Sequence, residues 1–517
     1  MAANPSIQLG TDGNWAIKED NLLAYKKDGT RFFNKEFDFT RGTFATFVDK
    51  DGLIKVSGVT DTELITNGDF ATDSNWSKGT GWSIANGKAS CNGSFSSLIQ
   101  FGVYSNPYNK SFVATINVSN YTSGYFSVGI GGYNFFGRVE SNGEHKIYFN
   151  VTNSQSNDRF YINGQGFNGS IDNISVKEIQ TDVPRIDFTD DATGHLLLEP
   201  QSTNLIPYSE DFSQWTLGPN STLTFESNVI APDGSLGVYR LQNPQTGSTF
   251  LSIGFRNCRN FSLFVKAVTE GVNNQFNLDA SGQPTDTRTA TTQWQRFNRD
   301  FGTQANYNLS INNGIDNYAS DIYIWGAQAE ALSYATSYIP TYGSTATRNA
   351  DVCNNSGSAQ DFSEEGVIYA EIAALANDGT FREISLNDGT INNAVEIRYI
   401  NTDDLLQFVV RDNGSATVVS SINISNVLEF NKVAFSYKND DCKMYIDGIE
   451  VATDTNCTMP SGLNRLSFNW GGANAFYGKT KNLKVFKRAM SDGELYLLTV
   501  TQYQSYQEMA TALNYTL

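Results

Sequence analysis

One phrase occurs twice in this chain, and each time a β-rich ending of matching type follows well downstream. Leu64-Ile65-Thr66-Asn67-Gly68-Asp69-Phe70 leads to Trp76 and closes at Ile171-Asp172-Asn173-Ile174-Ser175-Val176. Asn204-Leu205-Ile206-Pro207-Tyr208-Ser209-Glu210-Asp211-Phe212 leads to Trp215 and closes at Asp321-Ile322-Tyr323-Ile324-Trp325. A duplicated opening and closing implies two β-modules of one type, over residues 62–180 and 204–345. Trp76, Trp215 and Trp325 are expected in their cores.

Alternation of apolar and polar residues supports strands within both modules. Phe112 to Val118 and Lys146 to Val151 alternate in the first, with turn signals at Asn142-Gly143 and Asn163-Gly164. Phe261 to Val268 and Trp294 to Phe297 do so in the second. Each module reads as a jelly roll of eight to ten strands. A third β-module spans residues 346–490, where Gly366 to Ile372 and Asn431 to Tyr437 alternate and Met444 to Val451 form a hairpin about Asp447-Gly448. Residues 1–61 carry only short strand-like runs and should lean on a neighbour. Residues 491–517 open on Ser491-Asp492-Gly493-Glu494, a helix N-cap pattern, and continue with Leu495, Leu498, Tyr503, Tyr506 and Met509 as a short amphipathic helix.

The 517 residues exceed what one core serves, so several domains are required. Lys and Arg number 36 against 54 Asp and Glu, a net charge of −18 with no basic stripe, which argues against nucleic acid as a partner. Cys91, Cys258, Cys353, Cys442 and Cys457 are scattered with no CxxC pair, and read as buried free thiols. The start at Met1-Ala2-Ala3-Asn4-Pro5 lacks a signal-peptide pattern, and no run of 18 apolar residues occurs. Membrane insertion is therefore not expected, and work outside a cell would follow lysis or assembly into a particle.

The Asn67-Gly68-Asp69-Phe70…Trp76 phrase with its ending resembles carbohydrate-binding jelly rolls of galactose-binding-domain-like topology. Lys443 to Gly448 followed by Leu483 to Glu494 resembles a concanavalin A-like (laminin-G-like) lectin sandwich. The fold class so implied is all-β and multi-domain: two galactose-binding-like jelly rolls followed by a concanavalin A-like sandwich. Phe37 to Thr46, Pro184 to Leu205, Tyr338 to Thr341 and Ala346 to Asp351 are similar to phrases of bacteriophage virion proteins. In those proteins the first two phrases lie close together. Here the 62–180 module stands between them, which implies an insertion, with residues 1–61 packing against 181–203 as a virion-docking unit.

Asp69 with Asp172, and Asp211 with Asp321, lie at strand ends that such jelly rolls bring together. They are candidate structural Ca²⁺ ligands, the alternative being ordinary hydrogen-bonded turns. Tyr133, Phe135 and Phe136, in the glycine-flanked loop 131–136, and Trp470, Asn474 and Tyr477, in the loop 469–477, are candidate glycan contacts, because an aromatic face offers flat apolar area to a sugar ring. Catalysis has little material. The two histidines, His145 and His195, are far apart, and Glu364, Glu365, Glu371, Glu383 and Glu396 do not stand at glucanase spacing and read as solvated carboxylates.

These readings describe a non-enzymatic phage fibre or decoration protein on the virion surface, made in the host cytoplasm. Its partners would be other virion proteins, host surface polysaccharide and further copies of itself, with a trimer as one arrangement. The rivals are a structural virion component that binds no glycan and a polysaccharide-degrading enzyme.

Overall fold

The computed structural model describes residues 4–132, 135–154, 157–189, 191–244, 249–311, 319–401, 404–501, 507 and 509–510. The chain is all-β and multi-domain, with two jelly-roll sandwiches followed by a concanavalin A-like sandwich. It divides into two compact units, one of Met1–Thr40, Pro184–Pro200 and Asp351–Leu517, the other of Arg41–Val183 and Gln201–Ala350.

The unit of Arg41–Val183 and Gln201–Ala350 holds both jelly rolls, each with its own apolar core. In the first, Ser111–Ile130 and Phe160–Ile179 are 20 residues each and pair antiparallel from Ser111↔Ile179 to Ile130↔Phe160. Their register breaks between Thr115 and Asn117 and again between Ser119 and Ser123. Such breaks bend a strand, so one long strand can serve both leaves of a sandwich. The second module repeats the device with Leu251–Ala267 and Gln295–Ile311, paired from Leu251↔Ile311 to Val265↔Gln295 with breaks at Ser252/Gly254 and Cys258/Asn260.

The duplicated phrase performs the same local task in both modules. Trp76 donates its indole N–H to Asn67 O at 3.0 Å, and Trp215 donates to Tyr208 O at 3.1 Å. Phe70 packs on Trp76 with ring centroids 5.3 Å apart, and Phe212 on Trp215 at 4.9 Å. The opening phrase then joins the closing strand, through Ile174 N–H to Gly68 O in the first module and Ala327 N–H to Ser209 O in the second. Trp76, Trp215 and Trp325 are buried, as core residues should be.

In the other unit a ten-stranded sheet faces a five-stranded one. The five strands run in the order Ser415–Asn423, Leu405–Asp412, Ala394–Tyr399, Arg382–Asn387 and Arg465–Ser467. Inward residues at period two, Ile368, Ala370 and Ile372 from one sheet with Ile384, Leu386, Val395 and Ile397 from the other, form the core. Val367, Tyr369, Ala434 and Tyr445 point the other way and are covered by Met490 and Leu495. Leu495 belongs to the helix Asp492–Thr499, whose N-terminus has the expected capping box between Ser491 and Glu494. Tyr503 and Tyr506 lie outside the described residues. The hairpin expected about Asp447-Gly448 joins Cys442–Ile446 to Ile449–Asp454, and both turn residues have positive φ, 48° and 83°.

The N-terminal segment does not divide from the rest near residue 61. Ile7–Leu9 pairs with Gly478–Phe486, Ile7 opposite Val485, and Tyr25–Asp28 and Arg31–Asn34 continue the same sheet. The division falls at Thr40/Arg41 instead. Strands of two to four residues cannot build a core of their own, so they extend sheets that already have one. Of the 181–203 connector, His195–Leu198 also joins Gly478–Phe486. Beside it a buried ion cluster fixes the chain: Arg185 Nη1 donates to Glu199 Oε2 at 2.7 Å and Arg185 Nη2 donates to Asp351. The 41–61 stretch belongs to the other unit, where Ile54 packs with Ala231, Val238, Trp325 and Tyr338.

Candidate functional site

The outward face of the five-stranded sheet is polar, as period two requires, yet much of it is not wet. Glu383 pairs across strands with Arg398, and Glu396 stands opposite Ser385 on one side and Val409 on the other. Glu383 and Glu396 are both 0% exposed, contrary to the expectation of solvated carboxylates. The covering atoms are guanidinium groups: Arg398 Nη1 lies 3.0 Å from Glu383 Oε1 and 3.3 Å from Glu396 Oε2, and Arg411 Nε lies 2.9 Å from Glu396 Oε1. Arg398 Nε also donates to Gln407 Oε1 at 2.9 Å. A buried carboxylate left without such partners would be strongly destabilising. Burial pushes the Glu396 carboxyl up to about 7, the neighbouring Glu383 adds to this, and Arg411 and Arg398 oppose it. Burial likewise raises Glu383, against the pull of Arg398.

The loop 469–477 completes this face. Asn474, at φ 48°, donates from Nδ2 to Glu383 Oε1 at 3.2 Å, and Glu383 N–H donates to Asn474 O at 3.1 Å. Trp470 and Ala473 exchange two backbone hydrogen bonds of 2.8 Å around Gly471 and Gly472, whose φ values of 51° and 95° are the reason for that pair of glycines. Trp470 is half-buried, with its indole N–H on Ile391 O at 3.2 Å and the Arg411 guanidinium carbon 4.3 Å from its ring centroid. Trp470 and Asn474 thus meet Glu383, Glu396, Arg398 and Arg411 in one constellation. Tyr477, half-buried, follows on the same loop. The two arginines had no signal in the sequence beyond their strand parity.

In the first jelly roll Tyr133 lies outside the described residues. Phe135 is exposed and meets Tyr161 edge-on at 5.9 Å, while Phe136 is half-buried and stacked on Phe149 at 5.3 Å. Both border an open groove of about 680 Å³ that also contains Tyr125, Arg138 and Tyr148.

The four aspartates read as calcium ligands have other partners. Asp69 Oδ1 accepts from Ala71 N–H at 3.3 Å and Asp211 Oδ1 from Ser213 N–H at 3.1 Å, the same turn cap in both modules. Asp172 lies 3.3 Å from Lys88 Nζ and accepts from Asn117, and Asp321 takes a two-pronged contact from Arg240 at 2.7 Å on each oxygen. Among the described residues no group of three or more His, Cys, Asp or Glu side chains is placed to hold a metal ion. Asp69 and Asp211 each accept a backbone N–H two residues on, and Lys88 and Arg240 stand on Asp172 and Asp321.

Residues 359–495 match the family described as the concanavalin A-like lectin/glucanases superfamily. No curated protein matches the chain in sequence. Among solved structures the chain is similar to the CBM40 of the Ruminococcus gnavus IT-sialidase bound to α2,3-sialyllactose, with 17% identity over 28% of this chain and 93% of that one, TM-score 0.24. It is also similar to domain 4 of a GH43 extracellular arabinanase from Geobacillus stearothermophilus in complex with arabinotriose, at 13% identity over 32% and 82%, TM-score 0.24. A third is the Bacillus licheniformis β-glucanase, at 16% identity over 29% and 75%, TM-score 0.22.

Proposed function

We propose that this protein binds carbohydrate without cleaving it, through the sheet face capped by the loop 469–477. The observation that carries the reading is the convergence of Trp470, Asn474 and Arg411 on that face, within the segment that matches a lectin and glucanase superfamily. Trp470 offers a ring edge fixed by its hydrogen bond, and Arg411 and Asn474 offer donors to sugar hydroxyls. The exposed Phe135 on its groove would add a second weak contact. Weak sites gain from repetition: a dissociation constant near ~1 mM is worth about 4 kcal/mol, and presentation of many copies raises avidity by on the order of 10² to 10⁴. The setting we propose, the surface of a phage particle facing host polysaccharide, rests on the sequence phrases at 37–46 and 184–205.

One observation favours an enzyme instead. Two neighbouring carboxyls, one held up to about 7, are the raw material of glycosidic acid catalysis. Against it, Glu383 and Glu396 are 0% exposed and each is engaged by an arginine, so neither presents an oxygen to a glycosidic bond.

The test is binding of the labelled full chain to host cells and to their isolated polysaccharide, with Trp470→Ala and Phe135→Ala alongside, and a reducing-end assay on the same mixtures. Saturable binding that weakens in Trp470→Ala without new reducing ends is the expected result. Release of reducing ends that disappears in Glu396→Gln would overturn the non-catalytic reading, and no binding by chain clustered on beads would overturn the carbohydrate reading.

A further inference from the structure

Within the unit of the two jelly rolls, a cavity of about 230 Å³ lies where the strand Gly143–Asn150 of the first approaches the strand Leu236–Asn243 of the second. Tyr208, Phe225, Tyr239 and Tyr342 are among the residues that line it. Phe225 and Tyr239 meet edge to face at 5.3 Å and 64°, which makes a preformed corner. The Tyr342 hydroxyl has no hydrogen-bond partner among the described residues.

The ionisable groups of the lining are unbalanced in number. Five acidic side chains line the cavity, Glu140, Glu144, Glu210, Asp211 and Asp233, against two permanent cations, Arg138 and Lys146. Arg138 is committed to Glu140 at 2.8 Å and covers the Tyr125 ring at 4.0 Å. Lys146 stands 3.8 Å from Asp233 and 3.9 Å from Glu144, shared between the two. His145 does not help, because burial lowers its pKa and its Nε2 already faces Ser141 O at 3.0 Å. Among the described residues no basic nitrogen forms an ion pair with Glu210 or Asp211, since Arg138 and Lys146 are engaged elsewhere. Asp211 accepts from the Tyr239 hydroxyl at 2.9 Å, which ties a carboxylate to the aromatic corner.

We propose that this cavity binds a small organic cation, an ammonium group carrying apolar substituents, held by the rings of Phe225 and Tyr239 and facing the carboxyl groups of Glu210 and Asp211. Aromatic faces attract such cations through their quadrupole, and removal from water strengthens the attraction. Glu210 makes the site sensitive to pH. Burial, with Asp233 adding to it, holds the Glu210 carboxyl up to about 8, while the hydrogen bond donated by Tyr338 at 2.8 Å and the charge of Lys146 oppose this. Of the other titratable groups around it, Tyr148, Tyr342 and His145 are uncharged near neutrality, and Lys55, which lines a small void with Glu210 and Asp233, donates to Asp233 O at 3.3 Å. An arriving cation favours the ionised carboxyl, so binding expels a proton below that pKa.

The probe is choline, whose charge does not vary with pH, and the control is its neutral carbon isostere 3,3-dimethylbutan-1-ol. Calorimetric titration of the full chain should give choline binding at least about 10-fold tighter than the alcohol. Choline affinity should rise by up to about 30-fold between pH 6.5 and 9, with proton release at pH 7. Glu210→Gln should remove the pH dependence and the proton release. Phe225→Leu, which keeps apolar bulk without a π-face, should weaken choline and leave the alcohol unchanged, and serves if Glu210→Gln folds poorly. Equal binding of choline and the alcohol, choline binding that ignores both substitutions, or no choline binding at tens of millimolar would each overturn the proposal.

Discussion

His195 should make the unit containing the concanavalin A-like sandwich sensitive to mild acid. Its side chain is buried in the ten-stranded sheet on His195–Leu198, neither ring nitrogen has a hydrogen-bond partner among the described residues, and its ring packs on Phe430 at 5.7 Å. Asp187 and Asp191 stand 3.8 and 3.7 Å away, too far to hydrogen-bond the ring. Burial lowers the pKa to about 4, against the opposing pull of Asp187. The folded value lies below the unfolded one, so the unfolded chain binds the proton first. Stability is fully present above about 6.5 and is lost as pH falls towards 4. With those two values, lowering the pH from 7.5 to 4.5 should cost on the order of 2–3 kcal/mol through this residue alone. Other groups also titrate in that window, so the measurement is a double difference. Urea unfolding of the wild type and of His195→Leu at both pH values should show the variant losing on the order of 2–3 kcal/mol less than the wild type on acidification. Equal losses in the two proteins would refute the reasoning, because they would mean that the buried imidazole is already protonated in the fold or hydrated there.

Removing the indole in Trp76→Ala deletes its packing on Phe70 and its bond to Asn67 O, and should cost about 3–5 kcal/mol, read as a lower urea midpoint. Cys442 and Cys457 have Sγ atoms 3.1 Å apart in the reduced protein, so a mild oxidant should join them, with loss of two hydrogens by mass and two fewer titratable thiols. Closing that short loop should stabilise by up to about 3 kcal/mol, less any strain. Because Lys88 and Arg240 already neutralise Asp172 and Asp321, excess chelator should leave the melting temperature within about 1 °C, well below what loss of a structural ion would give.

The parts of this architecture written in local pattern could be read from the residues. The Asp447-Gly448 hairpin follows from two residues that tolerate positive φ, and the duplicated phrase follows from a Phe–Trp pair and a turn-capping aspartate used twice. Pairing between remote segments has no such local signal. Nothing in Ile7 to Leu9 names Leu483 to Val485 as its neighbour, which is why residues 1–61 looked like a separate segment. Glu383 and Glu396 show a related limit: alternation assigns a side chain to one face of a sheet, but whether that face is wet depends on Arg398, Arg411 and a loop some 80 residues later. The candidate aromatics were legible as glycine-flanked loops, whereas Trp470's ring turned out to be shared with an arginine.

The partnership of Ile7–Leu9 with Gly478–Phe486 sets an order of events during synthesis. Every residue from 41 to 350 leaves the ribosome before the strand that the first strand needs. At about 5–20 residues per second, the early edge waits roughly 25–90 s for its partner. Throughout that interval its backbone donors and acceptors are open to any other strand, including the same strand of a neighbouring nascent chain. Yield in a heterologous host should accordingly fall with translation density on the message before it falls with temperature.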